Sequence, residues 1–315
     1  MRDLVHIIEF EDLLQEANND LVRQAKSEGK RALGYTCNYM PEVLLDIPGC
    51  FSVRLRAPHS TSPDIATYYM SNRTCMYGRC LLERAMEGGF NFLDAEMATE
   101  TCTVTCRFQE HLQMMDVIQN PDFFCEFSDI PFKKNENSIR HFEEQLQHHV
   151  LDKLTEHFGI DTSDDALRQA IEEHNELCRL IREIGEFRKG EFPRITGYEF
   201  HVLCLATYVC PMDEVMKKLE ETLEELKTRE PDTKPWRCKV LLVGSEVDDS
   251  GLIKLIEECG AFVCADRFCF GSLPGRTEIA LKDDEDALTQ VCRHYIQNCQ
   301  CPRMMNQEKV YGRKQ

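Results

Sequence analysis

The chain has 315 residues, 42% of them hydrophobic and 29% charged, with a formal net charge of −18. That length accommodates two or three domains with packed cores. So acidic a balance excludes the basic face that nucleic acid requires and a direct grip on anionic membranes, and no apolar run is long enough to span a bilayer.

The N-terminal stretch MRDLVHIIEFEDLLQEANND carries acids through its apolar positions. It reads as an amphipathic helix rather than a signal peptide, so a cytoplasmic location is expected. A helix near 9–29 leads into the short apolar strand RALGYTC. PEVLLDI opens a helix with Pro41 in its first turn. FSVRLRA is the next strand, and a helix follows around DIATYYM. MYGRCLLERAMEGG is helical and stops at Gly88 and Gly89. FNFLDAEM reads as a buried strand, RFQEHLQMM as a helix, and FFCEFSDI as a strand closed by Pro131. This alternation predicts an α/β domain over 1–134, a parallel sheet covered by helices.

From 135 to 235 the pattern is helical. Leu167, Ala170, Ile171, His174, Cys178, Ile181 and Ile184 recur at helical spacing, with Thr162 as the expected N-cap. MDEVMKKLEETLEELKTRE is a solvated, charge-laced helix. EPDTKPW is a linker. The segment 236–315 starts a second α/β unit: strand KVLLVGS, helix GLIKLIEECG, strand AFVCAD and helix ALTQVCRHYIQ. With only two strands visible, this unit is expected to be incomplete.

The 17 cysteines are not a disulfide framework in a reducing compartment. Cys75, Cys80, Cys102 and Cys106 form two close pairs, C-MYGR-C and C-TVT-C, where a strand or loop runs into a helix. Soft thiolates at such turns select an iron–sulfur cluster, zinc or copper(I). The bland alternative is small buried hydrophobes. The spacing is not that of a zinc ribbon. Cys102 follows a strand directly, at the edge where open sheets bind ligands. Cys75 precedes a helix, whose N-terminal amides favour a thiolate. Cys37, Asn38 and Glu42 fall at the same predicted edge; taken alone, Glu42 reads as a first-turn acid complementing a helix dipole. Cys269 sits in another strand-end loop. Val243-Gly244-Ser245 lacks the glycines and lysine of a phosphate loop. His148, His149 and His201 read as surface or core histidines. No serine-hydrolase elbow or zincin motif is present.

GYTCNYMPEVLLDIPGCFSVRLRAP, Cys75, LDAEMATETC, SDDALRQAIEEHNELCRLIREI, RITGYEFH, KVLLVGSEVDDSGLIKLIEECGAFVCADRFCFGS and HYIQNCQCP follow one another along the chain. In that order they resemble the 2-hydroxyacyl-CoA dehydratase and benzoyl-CoA reductase family over essentially the whole length. The resemblance implies flavodoxin-like parallel sheets with a helical domain between them, and a related second subunit. It implies a [4Fe-4S] cluster held by three cysteines, the first two at Cys75 and Cys102. It also implies an ATP-dependent iron–sulfur activator that supplies a low-potential electron. Thr103 stands where the family commonly has Asp. The third ligand is expected in a final αβ segment that this chain does not contain. That points to a truncated or split subunit, with Cys37, Cys106 and Cys269 as substitutes.

The implied reaction removes water from a 2-hydroxyacyl-CoA thioester. One electron on the thioester carbonyl gives a ketyl radical anion, which expels the neighbouring hydroxyl and acidifies the β-proton. Glu42 is the nearest motif carboxylate for a positioning or base role. A benzoyl-CoA-reductase-type subunit and a non-catalytic partner subunit are the competing readings.

Overall fold

The computed structural model describes residues 3–60, 62–244, 246–272 and 276–298. The N-terminal stretch forms two helices, α1 (Ile7–Leu13) and α2 (Asp20–Ser27), instead of the single helix expected over 9–29. The break falls before Asn19, whose extended backbone lets its side chain accept from Val22 N at 3.1 Å and cap α2.

Strand β1 (Arg31–Tyr35) follows. PEVLLDI, expected as a helix, makes only one 3-10 turn, Glu42–Leu44, after an extended Pro41. Val43, Leu44 and Leu45 are all buried, so this is a continuous apolar run and not a helical stripe. Asp46 then accepts from Ser52 N at 2.7 Å and folds the chain back into β2 (Cys50–Arg54). Next come α3 (Ala66–Tyr69), α4 (Met76–Met86), β3 (Ala95–Thr99), α5 (Thr103–Met115) and β4 (Phe124–Ser128). The strand expected at FNFLDAEM begins only at Ala95, because Leu93 N donates to Phe90 O at 3.1 Å and holds the preceding residues in a turn.

These four strands form one parallel sheet in the order β2-β1-β3-β4. Gly34 lies opposite Val53 on one side and Glu96 on the other. The order is that of the first strands of a flavodoxin-like sheet, and all four carboxyl ends share one edge. One face packs on α2, α4 and α5 through Val22, Leu81, Leu82 and Phe108.

The other face packs on a helical layer: α6 (Glu136–Leu146), a π turn at Gln147–Leu151, α7 (Asp152–Phe158) and α8 (Asp164–Glu186). Ser163 caps α8, not Thr162, whose hydroxyl instead meets Thr155 Oγ1 at 3.1 Å. Helix α9 (Gly197–Val209) buries every residue but Tyr198, and α10 (Met212–Thr228) lies beside it. A capping box between Thr196 and Glu199 starts α9.

A second parallel sheet contains β5 (Cys238–Val243) and β6 (Ala261–Arg267), joined by α11 (Gly251–Glu258). It rests on α9 at Gly197, where an added Cβ would lie 2.6 Å from Val263 O. Helix α12 (Ala287–Asn298) returns to the first sheet's helical layer, placing Val291, Cys292 and Ile296 in one core with Leu33, Met97 and Phe142. Among the described residues, no helix is long and apolar enough to cross a membrane. Ser245 and everything after Asn298, including the end of the HYIQNCQCP motif, lie outside the described residues.

β5 is an edge strand with Leu241 and Val243 exposed, and α11 leaves Leu252 and Leu255 exposed. An edge paired on one side opens at lower free energy than a central strand. Hydrogen exchange on the isolated chain is therefore expected to be faster in β5 than in β1 or β3, with protection rising on addition of a partner subunit. Equal protection of all three strands in the chain alone would contradict this.

Candidate active site

Helix α5 begins directly after β3, with Cys102 as its N-cap, and α4 begins with Cys75 as its N-cap. The two starts touch. A Cβ at Gly78 would lie 2.4 Å from Val104 Cγ1, so glycine alone lets the first turn of α4 meet the first turn of α5. Cys75 is exposed and Cys102 half-buried. Both sit at helix N-termini. Cys106 lies one turn further on α5, and burial together with Glu100 pushes its thiol up.

Two further loops reach the same edge. Cys37 follows β1, and it contributes to holding the Tyr77 phenol of α4 neutral, after burial and Glu246. Tyr77 also meets Phe270 edge-on at 6.1 Å, which places the Cys269 loop beside α4. That loop is held by Asp266, which pairs with Arg188 at 2.7 Å and accepts from Ser272 N at 2.7 Å. A Cβ at Gly271 would lie 2.1 Å from Asp266 Oδ2, so this close wrap requires glycine. The chain thus gathers Cys37, Cys75, Cys102, Cys106 and Cys269 toward one edge. Among the described residues, no group of three or more His, Cys, Asp or Glu side chains is arranged to hold a metal.

Arg54 joins these loops. Its guanidinium is fully enclosed, with Nε donating to Thr36 O at 3.2 Å and one amino group donating to Asn38 Oδ1 at 2.7 Å and to Cys269 O. The other amino group pairs with Glu246 at 3.4 Å. Phe270 lies 3.9 Å and Tyr208 5.1 Å from its central carbon. Asn38 closes the triangle by donating to Cys269 O at 3.1 Å. Arg54 was not singled out in the sequence, although an arginine inside an otherwise apolar strand was a readable signal.

Glu42 is buried, not displayed at a helix start. It accepts from Tyr35 Oη at 2.6 Å and pairs with Arg276 Nε at 3.2 Å, with His174 Nδ1 at 3.7 Å. Burial pushes its carboxyl up, but Arg276, His174 and the Tyr35 hydrogen bond outweigh this and hold it below the usual carboxylate range. Both oxygens are occupied, which suits an anchor for Arg276 better than a base open to substrate. His148 and His149 pair with Asp152 and Glu126, and His201 is buried with its ring driven down to about 4 by burial. Glu96 on β3, also unmarked in the sequence, is fully buried and pushed up to about 7 by burial.

The profile of the 2-hydroxyglutaryl-CoA dehydratase D-component family matches residues 37–313, most of the chain and all of the loops described above. The chain belongs to that family. It is 21% identical over 305 residues to the (R)-phenyllactyl-CoA dehydratase beta subunit of Clostridium sporogenes, covering 96% of this chain and 79% of the relative. It is 21% identical to one of the subunits of the benzoyl-CoA reductase of Thauera aromatica, covering 88% and 72%. It is 22% identical to the (R)-2-hydroxyglutaryl-CoA dehydratase beta subunit of Acidaminococcus fermentans, covering 80% and 65%. In this dehydratase-family chain the matched segment opens at Cys37, the residue after Thr36, whose carbonyl Arg54 holds.

Replacing Arg54 by Met keeps the bulk and removes every one of these donors, leaving the Thr36 and Cys269 carbonyls and Asn38 short of partners. A loss of about 3 kcal/mol is expected in urea unfolding, the scale for breaking a buried charged network. Faster proteolysis or exchange in the 268–272 loop should accompany it. Unchanged loop protection would mean that Asp266 alone holds that loop.

The Glu42 pair sets a pH dependence. Its carboxyl is lower in the folded state than in the unfolded chain, so its contribution is present above the ordinary value of 4.5 and is lost as pH falls through the folded value. Glu42→Gln is expected to destabilise near neutrality by about 3 kcal/mol, with the gap to wild type closing in acid. A gap that does not depend on pH would show that packing, not charge, is what the substitution removes.

Proposed function

We propose that this chain is the iron–sulfur subunit of a radical (R)-2-hydroxyacyl-CoA dehydratase. It would remove water from a 2-hydroxyacyl-CoA thioester, working with a related second subunit and an ATP-dependent iron–sulfur activator. The observation that carries this reading is the contact between two cysteine-capped helix starts at the carboxyl edge of a parallel sheet, inside a family-matched segment. The donor chemistry is suited to a [4Fe-4S] cluster, with Cys75 and Cys102 as two ligands. The third would come from Cys37, Cys106 or Cys269, all half-buried near the same edge. When bound, such a cluster supplies a single electron and an open Lewis-acidic iron.

The chain's own residues do the positioning. Gly78 lets the two cysteine caps approach, Arg54 and Asn38 lock the Cys37 loop to the Cys269 loop, and Glu42 holds Arg276 under β1. The identity to the benzoyl-CoA reductase relative equals that to the phenyllactyl-CoA dehydratase relative. A reductase-type role therefore stands as the second reading, in which the same electron reduces an aromatic ring.

Protein purified without oxygen together with its partner should show the visible absorption of an iron–sulfur cluster, bleaching in air. Cys75→Ala and Cys102→Ala should each lower bound iron by at least about half, because each removes a thiolate ligand. Iron content unchanged in both variants would move the cluster to the partner and favour a non-catalytic supporting role. Turnover of a 2-hydroxyacyl-CoA but not of an aromatic acyl-CoA would select the dehydratase over the reductase.

A further inference from the structure

Glu96 is the second residue of the central strand β3 and faces α5. Gln109 of α5 donates from Nε2 to Glu96 Oε1 at 3.0 Å and from the same nitrogen to Thr36 Oγ1 at 3.2 Å. Both hydrogens of that amide are then used. Two buried oxygens remain without partners: Glu96 Oε2 and Gln109 Oε1. Buried polar atoms are paired as a rule, and an exception calls for a physical explanation. Here both orphans are acceptors on two groups already joined by a hydrogen bond. A carboxylate offers no donor to pair them, whereas a carboxylic acid has one O–H. A single proton on Oε2 would supply the donor that both atoms lack.

We propose that Glu96 is a positioning residue held as a neutral carboxylic acid, closing a cyclic acid–amide pair with Gln109 that ties the helix capped by Cys102 to the Thr36–Cys37 turn. The surroundings agree. β1 contributes Gly34 opposite Glu96 and the neutral Thr36, and β4 contributes Cys125, whose thiol is itself pushed up by burial and by the neighbouring Glu96 and Glu126. α5 contributes Gln109 with Phe108 and Leu112, all buried. Just before the strand Asp94 pairs with Lys26 at 2.6 Å, so that ammonium is engaged there and not at Glu96. Burial holds the Glu96 carboxyl up at about 7, and its titration therefore falls near neutrality. A neutral Glu96 favours the folded state, and this contribution is complete below the ordinary 4.5 and lost as pH rises toward about 7. Ionisation removes the Oε2 proton and sets the two orphaned acceptors against each other. Both cysteine-bearing segments then lose a shared anchor. The significance of that anchor for catalysis rests on the proposed cluster site; the pairing itself does not.

The test uses the 315-residue chain without cluster. Wild type and Glu96→Gln are given brief pulses of iodoacetamide between about pH 6 and about pH 8.5, a span that brackets the ordinary ionisation of a buried acid. Alkylation at Cys37 and Cys102 is read by peptide mass spectrometry. Glutamine keeps the shape and supplies a permanent donor, so the variant should stay paired at every pH. The wild-type rate divided by the variant rate should be near one in acid and rise to about threefold in base, because thiol ionisation is common to both and cancels. Infrared difference spectra in acid should show a protonated-carboxyl band in wild type that is missing from the variant. Glu96→Leu, with no hydrogen bonds to offer, should speed alkylation throughout. A rate ratio that stays flat, no missing carboxyl band, or a Leu variant as slow as the Gln variant would each overturn the proposal. A chain that bound no iron and dehydrated no thioester would overturn the proposed function while leaving these readouts as they are.

Discussion

The enclosed guanidinium of Arg54 is the constraint on which the active edge depends. Taking a charged group out of water costs several kcal/mol unless its donors are matched, and the fold is arranged to match them. Thr36 O, Asn38 Oδ1, Cys269 O and Glu246 take its hydrogens, while the Phe270 and Tyr208 rings lie 3.9 and 5.1 Å from its central carbon. These partners come from the end of β1 and from the two loops after β5 and β6. Because a bare guanidinium could not remain there, the first sheet and the second are bound together at one point. The Cys37 and Cys269 loops are held by the same point.

A second buried charge does related work nearby. Glu42 draws Arg276, Tyr35 and His174 together, linking the turn after β1 to α8 and to the segment that leads toward α12. Glu96 on β3 is paired with no cation among the described residues, and burial drives its carboxyl in the opposite direction. The two glutamates therefore differ in charge, because one is given a guanidinium and the other an amide. This division leaves a guanidinium–carboxylate pair beside Tyr35 and Tyr208 at Glu42 and a neutral hydrogen-bonded pair at Glu96.

Much of the fold was legible because the first domain's signals are local. RALGYTC, FSVRLRA and FFCEFSDI are short apolar runs bounded by turns, and each became a strand. Cys75 and Cys102 could be placed at helix starts from chain order alone, and both became N-caps. The failures have physical causes. PEVLLDI has helical composition, but its apolar residues are contiguous and all are drawn inward, so a helix would have turned some of them to solvent. Thr162 and Ser163 are equivalent caps by type, and only the packed start of α8 chose the serine. FNFLDAEM lost its first half to a turn because the Asp94 carboxylate captures Ala32 N at 2.8 Å, fixing where β3 can begin.

By itself, the sequence determined the class of fold, the order of its elements and the residue types able to bind soft metal at strand ends. Periodicity and chain order express those directly, since they depend on neighbours a few residues away. Only the tertiary structure decided that Gly78 brings the α4 and α5 starts into contact, that Arg54 reaches across 215 residues to Cys269, and that Glu42 is an enclosed anchor. Those facts belong to desolvation and close packing. Both are settled by which distant groups share a buried volume, and no local pattern encodes that.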